Sequence, residues 1–353
     1  MKKILFVNSS LTSGGSERVM TLLANEFANK GYDVDMVLLY KYEKDTYEVD
    51  SKINVIRFLY NDKIKIIKKI KQLSKLRKVL KKNRYDYVFS FMLSINILTL
   101  LASLGLKNKI IISERCNPYI SHGFIKETLS KILYKKAYKI VFQTEYAMNY
   151  YNEKIRALSV VIPNPIDSKI LPDVCKGKRE KRIVGVGRLS NQKNFKLLIS
   201  GFTTFVEEFK DYKLEIYGEG ELLEELKKYA KECGITDKVI FKGYVNNVLE
   251  KIKDAAMYIS TSNFEGISNS MLEALAMGIP SICTDCPVGG AQLIIKNNTN
   301  GILIPVGGEK ELVESMKLLA KDSKLCEKLS KNAIKVRKDY SIETIAKKWE
   351  NIL

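Results

Sequence analysis

The chain has 353 residues, 46% apolar and 28% charged, with 59 Lys and Arg against 40 Asp and Glu, for a net charge of +19. This composition excludes a disordered chain, and the length exceeds one ordinary hydrophobic core, so two domains are expected. The charge is uneven: residues 1–165 hold 29 Lys and Arg against 14 acids, and the remainder 30 against 26. A basic first half favours anionic partners such as phosphates, acidic lipid or nucleic acid.

Six scattered cysteines, Cys116, Cys175, Cys233, Cys283, Cys286 and Cys326, do not read as the disulfide framework of a short secreted chain. Lys2 and Lys3 before residues 4–7 imitate the start of a signal peptide, but Asn8-Ser9-Ser10 stops the apolar run too early. A reducing cytoplasm is the expected compartment. Residues 87–106 carry no charge and reach the length of a membrane span. Ser90, Ser94, Asn96, Thr99 and Ser103 within them point instead to a strand followed by a buried helix.

In chain order, short Val- and Ile-rich runs fall at residues 4–7, 34–39, 53–58, 87–91, 110–112, 140–142 and 160–162. A second series falls at 183–186, 214–217, 239–241, 257–259, 281–283 and 302–304. Runs that are apolar throughout, alternating with helical stretches, predict parallel strands covered on both faces. Two such series predict an α/β chain of two Rossmann-like domains. Pro163 and Pro165 prevent helix at residues 162–167 and place the join there. In such folds ligands bind outside the carboxyl ends of the strands, so the loops there are where chemistry is sought.

After the first strand, Gly14 and Gly15 precede an amphipathic helix. The pair suits either a phosphate site at a helix start or a tight turn that needs glycine. The second half opens with Gly185-Val186-Gly187-Arg188-Leu189-Ser190, where Ser190 replaces the third glycine of a dinucleotide fingerprint. Arg188 and Lys193 supply two cations beyond that strand end, suited to phosphate oxygens. Residues 262–280 are the most informative stretch. Glu265-Gly266 and the polar cluster Ser268-Asn269-Ser270 form a loop, and Ser270 with Glu273 fits a capping box for the next helix. Glu265 precedes that cap, where a carboxylate can accept bonds from sugar hydroxyls, while the N–H groups of residues 268–271 can receive anionic oxygens.

Two glutamates eight positions apart, in Phe264-Glu265-Gly266 and Leu272-Glu273-Ala274-Leu275-Ala276-Met277-Gly278-Ile279-Pro280, resemble the signature of retaining family 4 glycosyltransferases. The resemblance extends to Gly14-Gly15-Ser16-Glu17-Arg18, to residues 187–194, to Ile216-Tyr217-Gly218-Glu219-Gly220 and to Phe241-Lys242-Gly243-Tyr244-Val245. It implies a GT-B architecture, two Rossmann-like domains whose parallel sheets face across a cleft. Implied boundaries are 1–165 for the acceptor side, 166–338 for the nucleotide-sugar side, and 339–353 for a helix returning to the first domain. Arg188 and Lys193 would hold the donor diphosphate. Glu273 would bind the ribose, and Glu265 the transferred sugar, with Gly266, Ser268, Asn269 and Ser270 beside them. Gly14 and Gly15 would close on the donor from the other domain, and Gly243, Tyr244 and Val245 would border the base.

The implied reaction transfers a hexose or N-acetylhexosamine from a UDP-sugar, with retention, to a lipid-linked or saccharide acceptor in surface polysaccharide assembly. Cations and helix N–H groups can meet the leaving-group charge, so neither cofactor nor metal is expected. Asp33-Val34-Asp35 only superficially copies a metal-binding pair, and Cys283 with Cys286 lacks the second pair of a zinc site. Two departures stand out. Where many members carry a histidine, this chain has Ser113-Glu114-Arg115, so Glu114 and Arg115 become acceptor-side candidates; His122 follows as a loop residue. A glutamate common after a Gly-Gly pair is replaced near Gln292.

Residues 63–84 hold eleven Lys and Arg and no acid, with Ile66, Ile70, Leu73 and Leu80 at helical spacing. A basic amphipathic helix of this kind predicts peripheral contact with the anionic inner face of the cell membrane. No finger or aromatic-interleaved basic motif supports nucleic acid. Two rival readings are a UDP-sugar 2-epimerase of the same architecture and a non-catalytic membrane-surface nucleotide-binding protein. A single histidine argues against the first.

Overall fold

The structure, a computed structural model, describes residues 2–12, 14–40, 45–58, 64–115, 117–119 and 123–353. The chain divides into two compact units, residues 1–165 with 342–353, and residues 166–341.

In the first unit the apolar runs form seven strands: β1 (Lys3–Asn8), β2 (Asp33–Leu38), β3 (Asn54–Arg57), β4 (Tyr87–Phe91), β5 (Lys109–Glu114), β6 (Lys139–Phe142) and β7 (Ser159–Val161). They make one sheet in the order β3-β2-β1-β4-β5-β6-β7, parallel throughout. Residues Ile4 to Val7 and Val88, Phe89 and Ile111 are fully buried, as central strands covered on both faces require. Helix α1 (Gly15–Asn29) joins β1 to β2, moving one way across the sheet. Helices α2 (Lys65–Asn83), α3 (Leu93–Ser103) and α4 (Phe124–Leu133) serve connections that move the other way. Right-handed crossovers therefore put α1 on one face and α2, α3 and α4 together on the other. The charge-free stretch is β4 followed by α3, and no described helix is long and apolar enough to cross a membrane. The C-terminal helix Ile342–Glu350 packs on α1, and its fully buried Trp349 lies against Phe89 and Phe91, with ring centroids 5.5 and 5.6 Å away.

Asp35 belongs to this interior. Tyr85 donates to one of its oxygens at 2.5 Å and Asn54 to the other at 3.1 Å, while Lys3 lies 3.7 Å away. These bonds give it a structural occupation.

The second unit contains β8 (Glu180–Val186), β9 (Lys213–Tyr217), β10 (Val239–Gly243), β11 (Ala255–Ser260), β12 (Ser281–Thr284) and β13 (Ile302–Ile304). Their order is β10-β9-β8-β11-β12-β13, again all parallel. One core joins Phe195, Phe202 and Phe205 of the helix Phe195–Glu208 to one face of this sheet. The other joins Met271, Leu272 and Leu275 of the helix Asn269–Ala276 to Val184, Tyr258 and Cys283.

A charge cluster ties β8 to β9 and to the start of β11. Arg182 donates to Glu215 at 2.7 Å and to Glu180 at 2.6 Å, and it also pairs with Asp254. Lys242 reaches Glu215 at 3.1 Å and Tyr217 donates to it at 2.8 Å. Burial alone would raise the Glu215 carboxyl, but the donors Tyr217, Arg182 and Lys242 hold it below the ordinary range. A depressed carboxyl contributes stability that is present above its unfolded pKa of about 4.3 and is lost as pH falls through the folded value. Arg182→Ala should therefore cost about 3 kcal/mol at neutral pH, because it strips buried Glu215 of its closest cation. In urea titrations the gap between parent and variant should narrow below about pH 4. A pH-independent gap would place the loss in packing instead.

Candidate functional site

The second sheet reverses its winding between β8 and β11: β8 leads to β9 on one side, and β11 lies on the other. That switch point opens a crevice beyond the two strand ends. The loops that enter it, Gly187 to Asn194 after β8 and Thr261 to Ser268 after β11, are those carrying Arg188, Lys193 and Glu265.

The two loops are laced together. Asn263 N donates to the Gln192 carbonyl at 2.8 Å, and its side chain donates to the Asn191 carbonyl at 2.8 Å. Thr261 Oγ1 donates to the Lys193 and Asn194 carbonyls at 3.2 and 2.9 Å. Gln192 Nε2 donates to the Phe264 carbonyl at 3.2 Å. Asn194, with φ of 46°, turns the chain and caps the next helix through Leu197 N. These bonds fix the direction of one side chain pair above all: Lys193 Nζ meets Glu265 Oε2 at 2.5 Å, with both side chains mostly buried. Arg188 differs. It is exposed, and no ion pair of the described residues includes it.

Glycine is required where backbones of this crevice touch. A Cβ on Gly218 would lie 2.0 Å from the Gly187 carbonyl oxygen, and one on Gly220 2.2 Å from that of Leu189. The motif at residues 216–220 is thus the floor of the Arg188 loop, bonded to it by Leu189 N to the Glu219 carbonyl at 2.9 Å. Gly290 likewise leaves room for Gly266, whose carbonyl oxygen would stand 1.8 Å from an added Cβ. Glu265 N also donates to the Pro287 carbonyl at 3.2 Å, so the loop after β12 supports the Glu265 turn. Gln292 is exposed and its amide lies 3.5 Å from Asp285.

The expected capping box does not form. The helix starts two residues earlier, with Ser268 at the cap position and no side-chain cap bond. Ser270 Oγ instead pairs with Tyr258 OH at 2.9 Å and donates to the Val186 carbonyl at 3.2 Å, which anchors the helix to β8 and β11. Glu273 therefore lies in the body of the helix, 5% exposed. The first-turn N–H groups from Asn269 face back toward the Glu265 loop. Gly243, Tyr244 and Val245 follow β10, with the Tyr244 ring exposed and Gly243 accepting from Gly218 N at 2.8 Å. Cys283 and Cys286 are close enough to feel the charge of Lys193, and burial pushes their thiols up to about 12 and 11. Thiols held that high are neutral at physiological pH, which makes them poor nucleophiles for redox exchange.

In the first unit, Gly14 caps α1 in an extended conformation, and the space beside it belongs to Glu17. A Cβ at Gly14 would lie 2.0 Å from Glu17 Oε2; Ser9 and Ser16 hydroxyls donate to this carboxylate at 2.6 and 2.7 Å. Glu17 had no part assigned from sequence, although it stands in the Gly-Gly-Ser-Glu-Arg motif. Glu114 is 3% exposed and accepts from Tyr134 OH at 2.6 Å. Arg115 stacks its guanidinium 4.5 Å from the Phe91 ring centroid, donates to Ser113 Oγ at 2.7 Å and bonds Asn164. Burial lowers its pKa to about 9, and Nη2 is enclosed without a hydrogen-bond partner. His122 lies outside the described residues.

Two parallel-sheet Rossmann-like units are the architecture of the GT-B fold, and the second carries its charged loops at the switch point. Sequence comparison agrees. The model for Glycosyltransferase Family 4 matches residues 13–169, and that for Glycosyl transferases group 1 matches residues 169–336. A glycosyltransferase of Haemophilus influenzae with no assigned substrate is 31% identical over 363 aligned residues, covering 100% of both chains. An N-acetyl-D-galactosaminyltransferase of Campylobacter jejuni, named for a GalNAc-containing diphospho-undecaprenol saccharide, is 28% identical over 100% of this chain and 98% of its own. Among solved structures, Anabaena HepE in complex with UDP and glucose superposes with a TM-score of 0.87 at 16% identity, covering 99% of each chain. The chain belongs to glycosyltransferase family 4.

Proposed function

We propose that the protein is a retaining glycosyltransferase that transfers a hexose or N-acetylhexosamine from a UDP-sugar to a lipid-linked or saccharide acceptor in surface polysaccharide assembly. The Lys193–Glu265 pair at the β8/β11 switch point carries this reading. Cation and carboxylate stand side by side where a nucleotide sugar presents diphosphate next to sugar hydroxyls. Arg188 and Lys193 take the diphosphate and stabilise the departing nucleotide, with the helix N–H groups from Asn269 adding to the field. Glu265 accepts from the transferred sugar and Glu273 from the ribose; Gly243, Tyr244 and Val245 border the base. Gly14 and Gly15 are the first unit's donor-side residues, and Glu114 and Arg115 are its acceptor-side residues. The chemistry requires no metal, because fixed cations meet the charge that develops on the leaving group.

The names of relatives support the substrate class: the Campylobacter jejuni enzyme is named for a diphospho-undecaprenol acceptor, and HepE was solved with UDP and glucose. A lipid-linked acceptor places the protein at the inner membrane face, in keeping with the basic helix α2.

A thermal-shift screen of nucleotide sugars tests the proposal. A ligand at 100 times its Kd stabilises the folded state by about 2.7 kcal/mol, which should raise Tm by about 5 °C or more. One or more UDP-sugars should do so, with slow release of UDP on incubation. Stabilisation without release would support the non-catalytic reading, and conversion to a sugar epimer would support the epimerase.

A further inference from the structure

In the first unit β5 and β6 are parallel neighbours, so the segments that follow them leave the sheet side by side at its carboxyl edge. Open α/β sheets take their ligands at that edge. Each segment brings a tyrosine to the surface. After β5, Tyr119 N donates to Asn117 Oδ1 at 3.0 Å, a tight turn that leaves the Tyr119 ring 50% exposed. After β6, Thr144 caps the short helix Glu145–Asn149 through Ala147 N at 3.2 Å, and Tyr146 in its first turn is 45% exposed. The two rings meet with centroids 4.9 Å apart and planes at 48°.

The array continues inward. Tyr150 meets Tyr119 edge-on at 5.0 Å and lies 5.1 Å from Tyr151. Tyr151 stacks on Tyr134 at 5.6 Å, and Tyr134 OH donates to Glu114 at 2.6 Å. Tyr151 and Tyr134 are buried, so the outer rings stand on a packed base that ends on Glu114. Lys131 lies over the Tyr150 ring, 5.2 Å from its centroid. The open ring area is therefore that of Tyr119 and Tyr146.

The chemistry of these rings identifies their occupant. An aliphatic patch offers area alone, whereas a tyrosine offers a flat, electron-rich face with a hydroxyl at one end. The C–H groups on one face of a pyranose are weakly positive and complement such a face. The sugar hydroxyls then point outward, where the phenol groups and water meet them. Rings fixed by their neighbours also lose little freedom when a ligand settles on them.

We propose that Tyr119 and Tyr146 form a stacking platform for a pyranose ring of the acceptor. The acceptor is then a saccharide, free or lipid-linked, and a lipid phosphate that carries no sugar is not a substrate. This rests on the glycosyltransferase reading given above and narrows its acceptor. It also gives Glu114 a second occupation, as the anchor of the tyrosines that hold the platform in place.

The test is saturation-transfer NMR on the full chain, with maltose and N,N′-diacetylchitobiose as soluble probes. Irradiation of the protein's aromatic protons should reach the ring C–H protons of at least one disaccharide, and titration of that signal gives a Kd. Tyr119→Phe with Tyr146→Phe keeps both faces and should hold the Kd within about threefold. Tyr119→Leu with Tyr146→Leu keeps apolar area but removes the faces, and should weaken binding by about tenfold or more, with unchanged circular dichroism. Parent-like binding in the leucine variant overturns the platform, as does loss of binding in the phenylalanine variant, which would move recognition from ring to hydroxyl. Absence of transfer to either disaccharide in the parent chain overturns it too. The donor reading is scored separately, by the rise in Tm with UDP-sugars in the same samples. A rise without disaccharide signal overturns the platform alone; disaccharide signal without a rise overturns the donor reading alone.

Discussion

Lys193→Ala is expected to lower turnover by about 100-fold or more, and Arg188→Ala by the same order, the scale of removing one preorganised charge at a developing anion. A hundredfold loss is about 2.7 kcal/mol of transition-state stabilisation, within the reach of a cation held as Lys193 is, mostly buried against Glu265. The two variants should differ in their side effects. Arg188 is exposed and takes part in no ion pair of the described residues, so its loss should leave folding within about 0.5 kcal/mol. Lys193 is bound to Glu265 at 2.5 Å, so its loss leaves a mostly buried carboxylate with Gln192 Nε2, 3.4 Å away, as a weaker neighbour. Lys193→Ala and Glu265→Gln should therefore be non-additive in stability, with a coupling of about 0.5–3 kcal/mol. Turnover within a few-fold of the parent in both alanine variants would remove these residues from the mechanism.

Much of the fold was legible because its strands are buried on both faces. Apolar runs such as residues 4–7 and 87–91 have no polar alternation to blur them, and β1 and β4 lie over them. The pair of series separated at Pro163 and Pro165 likewise corresponds to two sheets. The loops holding Arg188, Lys193 and Glu265 could be found because open α/β sheets bind ligands at strand ends.

What stayed hidden depends on contacts between distant segments. The Ser270–Glu273 box obeys a local rule, yet Tyr258 and Val186 claim the Ser270 hydroxyl and the helix begins at Ser268. Spacing along the chain could not show that Lys193 and Glu265, 72 positions apart, are partners. Nor could helical periodicity show that Leu80 faces the sheet while Ile66 and Ile70 face solvent, since all three share one stripe in the sequence. Glu17 was readable as a first-turn acid at a helix start; its closure over Gly14 was not.

The division of labour between the two glutamates is tested most directly by calorimetric titration of UDP into Glu265→Gln and Glu273→Gln. Glu265 pairs with Lys193, the cation proposed to take the diphosphate. Glu265→Gln releases Lys193, so UDP affinity should hold or rise while turnover of a UDP-sugar falls by about 100-fold. Glu273→Gln removes a charged acceptor from the ribose, a hydrogen bond worth about 1.5–3 kcal/mol, so UDP affinity should fall by about 10-fold or more. Without a capping box, no stability loss is expected from a broken cap in that variant. UDP binding that is lost in Glu265→Gln and kept in Glu273→Gln would contradict the account, because the nucleotide would then lie on the other carboxylate.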